Sequence, residues 1–328
     1  MKSVLATVII PTYQYANFIC NAIDSLLEQS FPQSEIEIIV VDDGSTDDTS
    51  ERVKRYKDRV KYIHQRNSGK AGATKVGIDI ARGKYIFNLD ADDLFLPDKI
   101  QKVVSIFEKD GDIIHIGHPA ICWRADDNIW EIESIPDHIK WHKIYGRDLL
   151  SYFYMRQMLF GGGSTFAGRA DMLKMIPIKK AIDMYIDEYL VLSALNRGYT
   201  FFIGEPLSIW RIHGKNYSYK NPGENRIERT MSSMEAVLSE VMNNDFSEKL
   251  RILYQLKARV SRIAAKETLS KKSFLDIMDL WLYFLKNYRI WGKDILIVIE
   301  SYNLINRTLP TFLLSRLRRI KARNSLKL

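Results

Sequence analysis

Tyr85-Ile86-Phe87-Asn88-Leu89-Asp90-Ala91-Asp92-Asp93 joins an apolar run of strand length to a cluster of three carboxylates, with Pro97 four residues further on. An apolar run bounded in this way reads as a buried strand carrying its polar cluster at the carboxyl end. The same form occurs twice upstream, where Leu5 to Ile10 leads into Pro11-Thr12-Tyr13 and Ile36 to Val41 leads into Asp42-Asp43-Gly44-Ser45. Helical spacing fills the intervals: Ile19, Ala22, Ile23, Leu26 and Leu27 recur on one face, and a second helix is predicted from Ala71 to Ala81. A further helix is expected to open at a Ser45-Thr46 cap with Asp47 and Asp48 in its first turn, and Val60 to Ile63 supplies one more strand. This alternation is the sequence form of βαβ units, so the fold class is α/β with an open, mostly parallel central sheet flanked by helices. Ligands of such sheets lie outside the carboxyl ends of the strands, which is where the three polar clusters meet.

From Asp112 to about Pro222 the pattern loosens into short strands at Ile113 to Ile116, Ile129 to Ile135, Phe201 to Ile203 and Leu207 to Ile212. A Gly161-Gly162-Gly163 loop and a helix near Asp187 to Asn196 lie among them. A mixed-sheet extension of the same domain is expected. Asn221-Pro222-Gly223 is a strong break, and the chain beyond it reads as helix. The division predicted is therefore 1–222, with halves 1–111 and 112–222, and a helical region 223–328.

Composition is that of a globular protein, with 46% hydrophobic and 27% charged residues, which excludes disorder as the default. Cys20 and Cys122 lack a CxxC partner, which argues against a disulfide framework or thiolate zinc site and fits a reducing, cytoplasmic setting. The N-terminal apolar stretch is too short for a signal peptide, and the later ones, Trp281 to Leu285 and Ile295 to Ile299, are broken by charges, so no membrane span is predicted. Formal net charge is +8, and beyond Glu300 no acidic residue occurs while Arg316, Arg318, Arg319, Lys321, Arg323 and Lys327 gather there. Leu313, Leu317 and Ile320 give that tail an apolar face. It suits the anionic inner face of a membrane, and equally packing on the preceding helices or on a second copy of the chain. No nucleic-acid-binding module accompanies the charge.

Three carboxylates as close as Asp90, Asp92 and Asp93 repel one another unless a cation neutralises them. Hard oxygen ligands suit Mg²⁺ or Mn²⁺, held by one or two carboxylates together with substrate phosphates. Solvation of a turn, or capping of the next helix, is the alternative role for Asp92 and Asp93.

The runs Val8-Ile9-Ile10-Pro11-Thr12-Tyr13, Ile39-Val40-Val41-Asp42-Asp43-Gly44-Ser45-Thr46-Asp47, Ala81-Arg82-Gly83-Lys84-Tyr85-Ile86 and Leu89-Asp90-Ala91-Asp92-Asp93 resemble, in matching order, family 2 glycosyltransferases of the GT-A fold. The resemblance is clear from about Thr7 to Pro97, patchy to about Ser218 and absent beyond. It implies a Rossmann-like nucleotide-binding half in which Pro11, Thr12 and Tyr13 border the base and Asp43 bonds its edge. Asp90 and Ala91 would lie near the ribose, and Asp92, in the position of the DxD motif, would bind the metal on the diphosphate. Tyr13 has a ring that can stack on a base; Asp42 and Asp43 otherwise serve as caps for the helix expected near Thr46. The Arg-Asn pair usual in the next helix is replaced by Thr74 and Lys75, leaving Lys70 or Lys75 as phosphate contacts, with Asn67 in the loop before them.

Transfer of a sugar to a hydroxyl needs a base. Asp187-Glu188-Tyr189-Leu190 resembles the family's acidic motif, with Asp187 as base and Glu188 in reserve; either would also suit the positive end of a helix. Arg211-Ile212-His213-Gly214-Lys215 resembles its Arg-x-His segment, in which His213 would complete the metal site while Arg211 and Lys215 close on the diphosphate. The glycines at 161–163 match an acceptor-side segment.

Together these imply an inverting, metal-dependent hexosyl- or N-acetylhexosaminyltransferase using a nucleoside-diphosphate sugar, uridine-linked by family precedent, on a glycan or lipid-linked acceptor for cell-surface polysaccharide. The lack of GxGxxG after the first strand argues against a nicotinamide-dependent oxidoreductase; a nucleotidyltransferase, which uses the same metal and phosphate logic, is the more credible enzyme alternative, yet its Gly-rich, lysine-bearing triphosphate loop is not seen. A non-catalytic sugar-nucleotide-binding or membrane scaffold protein is the remaining alternative.

Overall fold

The computed structural model describes residues 3–156, 158–214, 216, 224–271, 273–291, 294 and 297–299. In chain order the first elements are β1 (Ala6–Thr12), α1 (Ile19–Leu27), β2 (Ile36–Asp42), α2 (Thr49–Val53), β3 (Val60–His64), α3 (Gly69–Ile80), β4 (Tyr85–Asn88), β5 (Leu94–Phe95) and α4 (Lys99–Lys109). Then come β6 (Ile113–Gly117), β7 (Ala120–Arg124), β8 (Ile129–Ile132), β9 (Lys143–Tyr145), α5 (Gly146–Met155), β10 (Ala167–Arg169), α6 (Ala170–Lys174), α7 (Ile186–Leu195), β11 (Tyr199–Phe202) and β12 (Ser208–Ile212). The C-terminal helices are α8 (Glu224–Asn243), α9 (Glu248–Thr268) and α10 (Phe274–Lys286).

The central sheet has the order β3-β2-β1-β4-β10-β6-β11-β9. Its first four strands are parallel, paired through Thr12 with Asp42 and Ile9 with Asn88, as strands joined by helical crossovers must be. Strand β10 runs antiparallel between β4 and β6, and so brings the acceptor-side half back beside the strand that carries the acidic cluster. The expected α/β fold with a mostly parallel mixed sheet and trailing helices is present. Both faces of β1 are buried, and Val8, Ile10, Val40, Phe87, Ile100 and Ile116 share one core with Ile19, Ile23 and Leu26 of α1. A second sheet, of order β5-β12-β7-β8, was not foreseen from the sequence; its two-residue strand β5 lies between the acidic cluster and Pro97.

The helix expected to start at Ser45-Thr46 begins at Thr49 instead. Ser45 and Thr46 are engaged elsewhere: the Ser45 hydroxyl accepts from the Gln14 backbone amide at 2.9 Å, and the Gln14 side-chain amide donates to the Thr46 hydroxyl at 2.8 Å. Asp47 takes over the capping, accepting from the Thr49 amide (3.1 Å) and hydroxyl (2.5 Å).

The chain divides into two compact units: 1–147 with 160–223, and 148–159 with 224–328. The sequence reading kept 148–159 with the first 222 residues. Within the second unit Tyr154 packs on Tyr254 with ring centroids 5.3 Å apart, and α10 is tied to α9 by Lys266–Asp276 (2.7 Å) and Arg259–Asp279 (2.9 Å). Among the described residues no helix is long and apolar enough to cross a membrane. The basic tail and Lys215 lie outside the described residues.

Candidate active site

Buried carboxylates at the end of β2 tie its loop to β3 and to the start of α3. Asp42 accepts from the Ser45 amide (2.8 Å) and the Tyr62 hydroxyl (2.6 Å), a purely structural pattern. Asp43, also buried, does not cap α2; it reaches the N-terminus of α3, where Oδ1 accepts from the Ser68 amide (2.8 Å) and the Gln65 side chain (2.7 Å). Its Oδ2 accepts from the Gly69 amide at 2.8 Å. The next amide, Lys70, donates to Asp183 Oδ1 at 3.0 Å. Two carboxylates thus occupy the orphan amides and positive end of α3. Gly69 makes this possible: its φ is +81°, and an added Cβ would fall inside the Asp183 carboxylate.

Beyond β4 the acidic cluster is built into the fold. Asp93 is fully committed: Oδ2 accepts from the Ser164 hydroxyl (2.5 Å) and Oδ1 from the Arg211 amide (3.0 Å), while Ser164 Oγ also accepts from the Asp90 amide (3.0 Å). Burial, with Asp92 and Asp90 close by, raises the Asp93 carboxyl well above the usual range. Beneath it the ammonium of Lys99 donates to the Ser164 carbonyl (2.5 Å) and lies 3.4 Å from the centroid of Phe95; burial pushes it well below the ordinary lysine value.

Asp92 faces the other way. Its Oδ2 accepts from Asn216 Nδ2 at 2.9 Å and lies 3.3 Å from His213 Nε2, and its carbonyl accepts from Arg211 Nε. The His213 ring stacks on Phe18, centroids 4.3 Å apart at 17°, and the Tyr15 hydroxyl is pushed up by burial and by Asp92 and Asp90. A carboxylate and an imidazole this close, both side chains about one-tenth exposed (11% and 9%), fit Mn²⁺ or Mg²⁺ as two protein ligands. Among the described residues no group of three or more acidic, His or Cys side chains is arranged to hold a metal alone; Asp92 and His213 would share such an ion with phosphate or water.

Asp187, in the first turn of α7, is brought to this cluster by Lys70. The Lys70 ammonium lies 2.6 Å from Asp187 Oδ2 and 2.8 Å from Asp90 Oδ1. Burial opposes the charge on Lys70, but the two carboxylates outweigh it and raise the ammonium above its ordinary value. Burial pushes Asp90 up to about 6, against the pull of Lys70. Gly163, at φ +51°, lies against the same pair: a Cβ there would stand 3.5 Å from Asp90 Oδ2 and 3.8 Å from Asp187 Oδ2. His115 supports this loop from below, its Nε2–H donating to the Gly161 carbonyl (3.1 Å) and its Nδ1 accepting from the Thr200 hydroxyl (2.6 Å). Burial lowers it to about 4, so the ring is neutral.

Of the remaining predicted residues, Thr12 ends β1 with its hydroxyl buried and unpartnered among the described residues, Pro11 and Ala91 are buried, and Tyr13 is 47% exposed. Asn67 is exposed beside Gly44. Lys75 does not join the cluster; it pairs with Asp79 one turn along α3 at 2.5 Å, so Lys70 is the lysine of this helix that enters it. Glu188 faces Tyr185, whose hydroxyl burial and this carboxylate push up to about 12. Sequence reasoning passed over Gln14, Phe18, Gln65, Ser164 and Asn216 as site builders. Only Ser164 and Asn216 carried a signal, each directly following a segment already singled out, the glycines at 161–163 and Arg211 to Lys215.

Residues 7–176 match the family model described as glycosyl transferase family 2. An uncharacterized glycosyltransferase of Nostoc is 28% identical over 287 residues, covering 84% of this chain and 85% of that protein. An uncharacterized glycosyltransferase of Rickettsia felis is 45% identical over 105 residues, but the match spans only 17% of that protein's length. Among solved structures, residues 1–349 of S. aureus TarS in complex with UDP-GlcNAc align with a TM-score of 0.62 at 16% identity, over 92% of this chain and 90% of that 1–349 chain. The mannosyltransferase PcManGT of Pyrobaculum calidifontis, in complex with GDP-Man and Mn²⁺, aligns with a TM-score of 0.52 at 16% identity, over 94% and 89%.

Proposed function

The chain belongs to glycosyl transferase family 2, and on that premise we propose that it moves a hexosyl or N-acetylhexosaminyl group from a nucleoside-diphosphate sugar, in the first instance a UDP-sugar, to a hydroxyl of a glycan or lipid-linked acceptor, with inversion. The observation that carries this reading is the meeting of Asp187, from the acceptor-side half, with Asp90, from the end of β4, across a single lysine. A base candidate is thereby positioned beside the DxD cluster.

In this scheme Thr12, Tyr13 and the Asp43 loop border the nucleotide, and Asp92 with His213 would hold Mn²⁺ or Mg²⁺. When bound, the cation would offset the charge that develops on the departing diphosphate. Asp187 takes the acceptor proton as the new bond forms at the anomeric carbon. Arg211, with Nη2 buried and unpartnered among the described residues, supplies a cation at the same loop. TarS in complex with UDP-GlcNAc and PcManGT in complex with GDP-Man and Mn²⁺ are consistent with a nucleotide-sugar donor and a divalent ion here. Assembly of a cell-surface polysaccharide or glycolipid at the cytoplasmic face of a membrane is the proposed setting.

The test is calorimetric titration with UDP in Mn²⁺ and then in EDTA, on wild type and Asp92→Ala. Metal-dependent binding that the variant loses supports the donor site. Absence of binding by UDP, GDP and dTDP under both conditions overturns it in favour of a scaffold protein.

A further inference from the structure

A base works best when a second group fixes its orientation, and one oxygen of Asp187 is so held from two sides. Its Oδ2 is boxed in by the Lys70 ammonium at 2.6 Å and by the Gly163 backbone, whose Cβ position is 3.8 Å away. Its Oδ1 is buried yet accepts no hydrogen bond from any described residue. A carboxylate oxygen left without a partner in a buried position is costly unless a ligand hydroxyl is meant to meet it.

Lys70 is itself rigidly placed. Its backbone amide is held by Asp183 at 3.0 Å, and the two preceding amides, Ser68 and Gly69, by Asp43 at 2.8 Å each. Its ammonium spends a second donor on Asp90 Oδ1 at 2.8 Å, so it can pivot neither toward solvent nor away from Asp187 without stranding a carboxylate. Asp187 is anchored in turn, at the start of a helix whose other residues, Tyr189 to Leu195, are buried.

From this geometry, and resting on the transferase reading above, we propose that Lys70 is a positioning residue for the base: it pins Asp187 Oδ2 against Asp90 and leaves Oδ1 as the atom that takes the acceptor proton. The proton passes from the acceptor hydroxyl to Oδ1 while that oxygen bonds to the anomeric carbon and the bond to the nucleoside diphosphate breaks, so no further reactant is needed. Lys70 keeps its own proton throughout.

The test uses full-length protein with Mn²⁺ and UDP-GlcNAc, UDP-glucose or UDP-galactose, with water as acceptor and UDP release as readout. Lys70→Met, Lys70→Arg, Asp187→Asn and the double variant Lys70→Met/Asp187→Asn are compared. Lys70→Met is expected to lower kcat about 10- to 100-fold with donor KM within about 3-fold, Lys70→Arg to recover most of the loss, and the double variant to be no slower than Asp187→Asn. Two results would overturn the assignment: a loss confined to donor KM, which would make Lys70 a phosphate ligand, or losses that multiply in the double variant. A wild type that releases UDP from none of the three donors overturns the donor reading and this proposal with it; an active wild type with an unimpaired Lys70→Met overturns the proposal alone.

Discussion

Gly69→Ala probes the point where donor-side and acceptor-side elements share a carboxylate. At φ +81° a non-glycine residue costs about 1–2 kcal/mol. The new methyl also falls on the Asp183 carboxylate, its Cβ 2.9 Å from Cγ, and must displace it from the Lys70 amide. Loss of that charge-assisted bond at a helix N-terminus costs about 1.5–3 kcal/mol. The sum is about 2.5–5 kcal/mol, which for a unit of this size lowers the unfolding temperature by roughly 5–20 °C. Asp183→Ala alone, free of the backbone strain at residue 69, should lose that bond, about 2 kcal/mol. Because the carboxylate is already displaced in Gly69→Ala, the double variant should be no less stable than Gly69→Ala. Differential scanning calorimetry on all four proteins closes the cycle. A Gly69→Ala protein within 1 kcal/mol of wild type, or a double variant whose loss equals the sum of the singles, refutes the shared-carboxylate account.

Two further outcomes concern buried titrating groups. The folded-state value of His115 lies at about 4, below the ordinary 6.5, so the unfolded chain binds the proton first; stability is whole above pH 6.5 and falls by about 3 kcal/mol as pH drops to 4. Asp90, raised to about 6, acts in the opposite sense over about pH 6 to 3.8, so the His115 contribution is read as the difference in slope between wild type and His115→Gln in urea unfolding; equal slopes would refute it. Lys99, lowered by burial, makes the folded protein gain stability from neutral pH toward pH 9.5, by up to about 1.4 kcal/mol per pH unit. Lys99→Met removes that gain, so its stability relative to wild type should be highest at pH 7 and decline by pH 9.5; a difference that does not vary with pH would count against a depressed Lys99.

The parallel half of the sheet was legible because each strand is a continuous apolar run ending in polar residues, a pattern imposed by burial on both faces. The second sheet was legible only in part: the strands expected at Ile129 to Ile135 and Leu207 to Ile212 contain β8 and β12, but β5, two residues long, displays no periodicity from which a strand is inferred, and β7 was not anticipated. Asp42, Asp43, Asp90, Asp92 and Asp187 could be picked out by type and position. Their partners could not: Asp43 caps α3 from another loop, and Lys70 reaches Asp187 over more than a hundred residues of chain. Spacing bears on local contacts, and even there it set the start of α2 at Ser45-Thr46 rather than at Thr49 beside Asp47; pairings over a hundred residues depend on how strands order in the sheet.

Ser164 bears on whether the two halves of the catalytic unit are separable polypeptides. Its hydroxyl gives to Asp93 and receives from Asp90, and its carbonyl receives from Lys99, so three residues from the first 111 rely on one from the second half. Strand β4 likewise takes its outer neighbour, β10, from beyond residue 111. A fragment cut at that position would therefore expose an unpaired strand edge and strand an acid and an amine designed for an interior. Complementation by two separately expressed pieces, or exchange of acceptor halves between relatives, has to carry residues 160–169 along with the nucleotide-side piece.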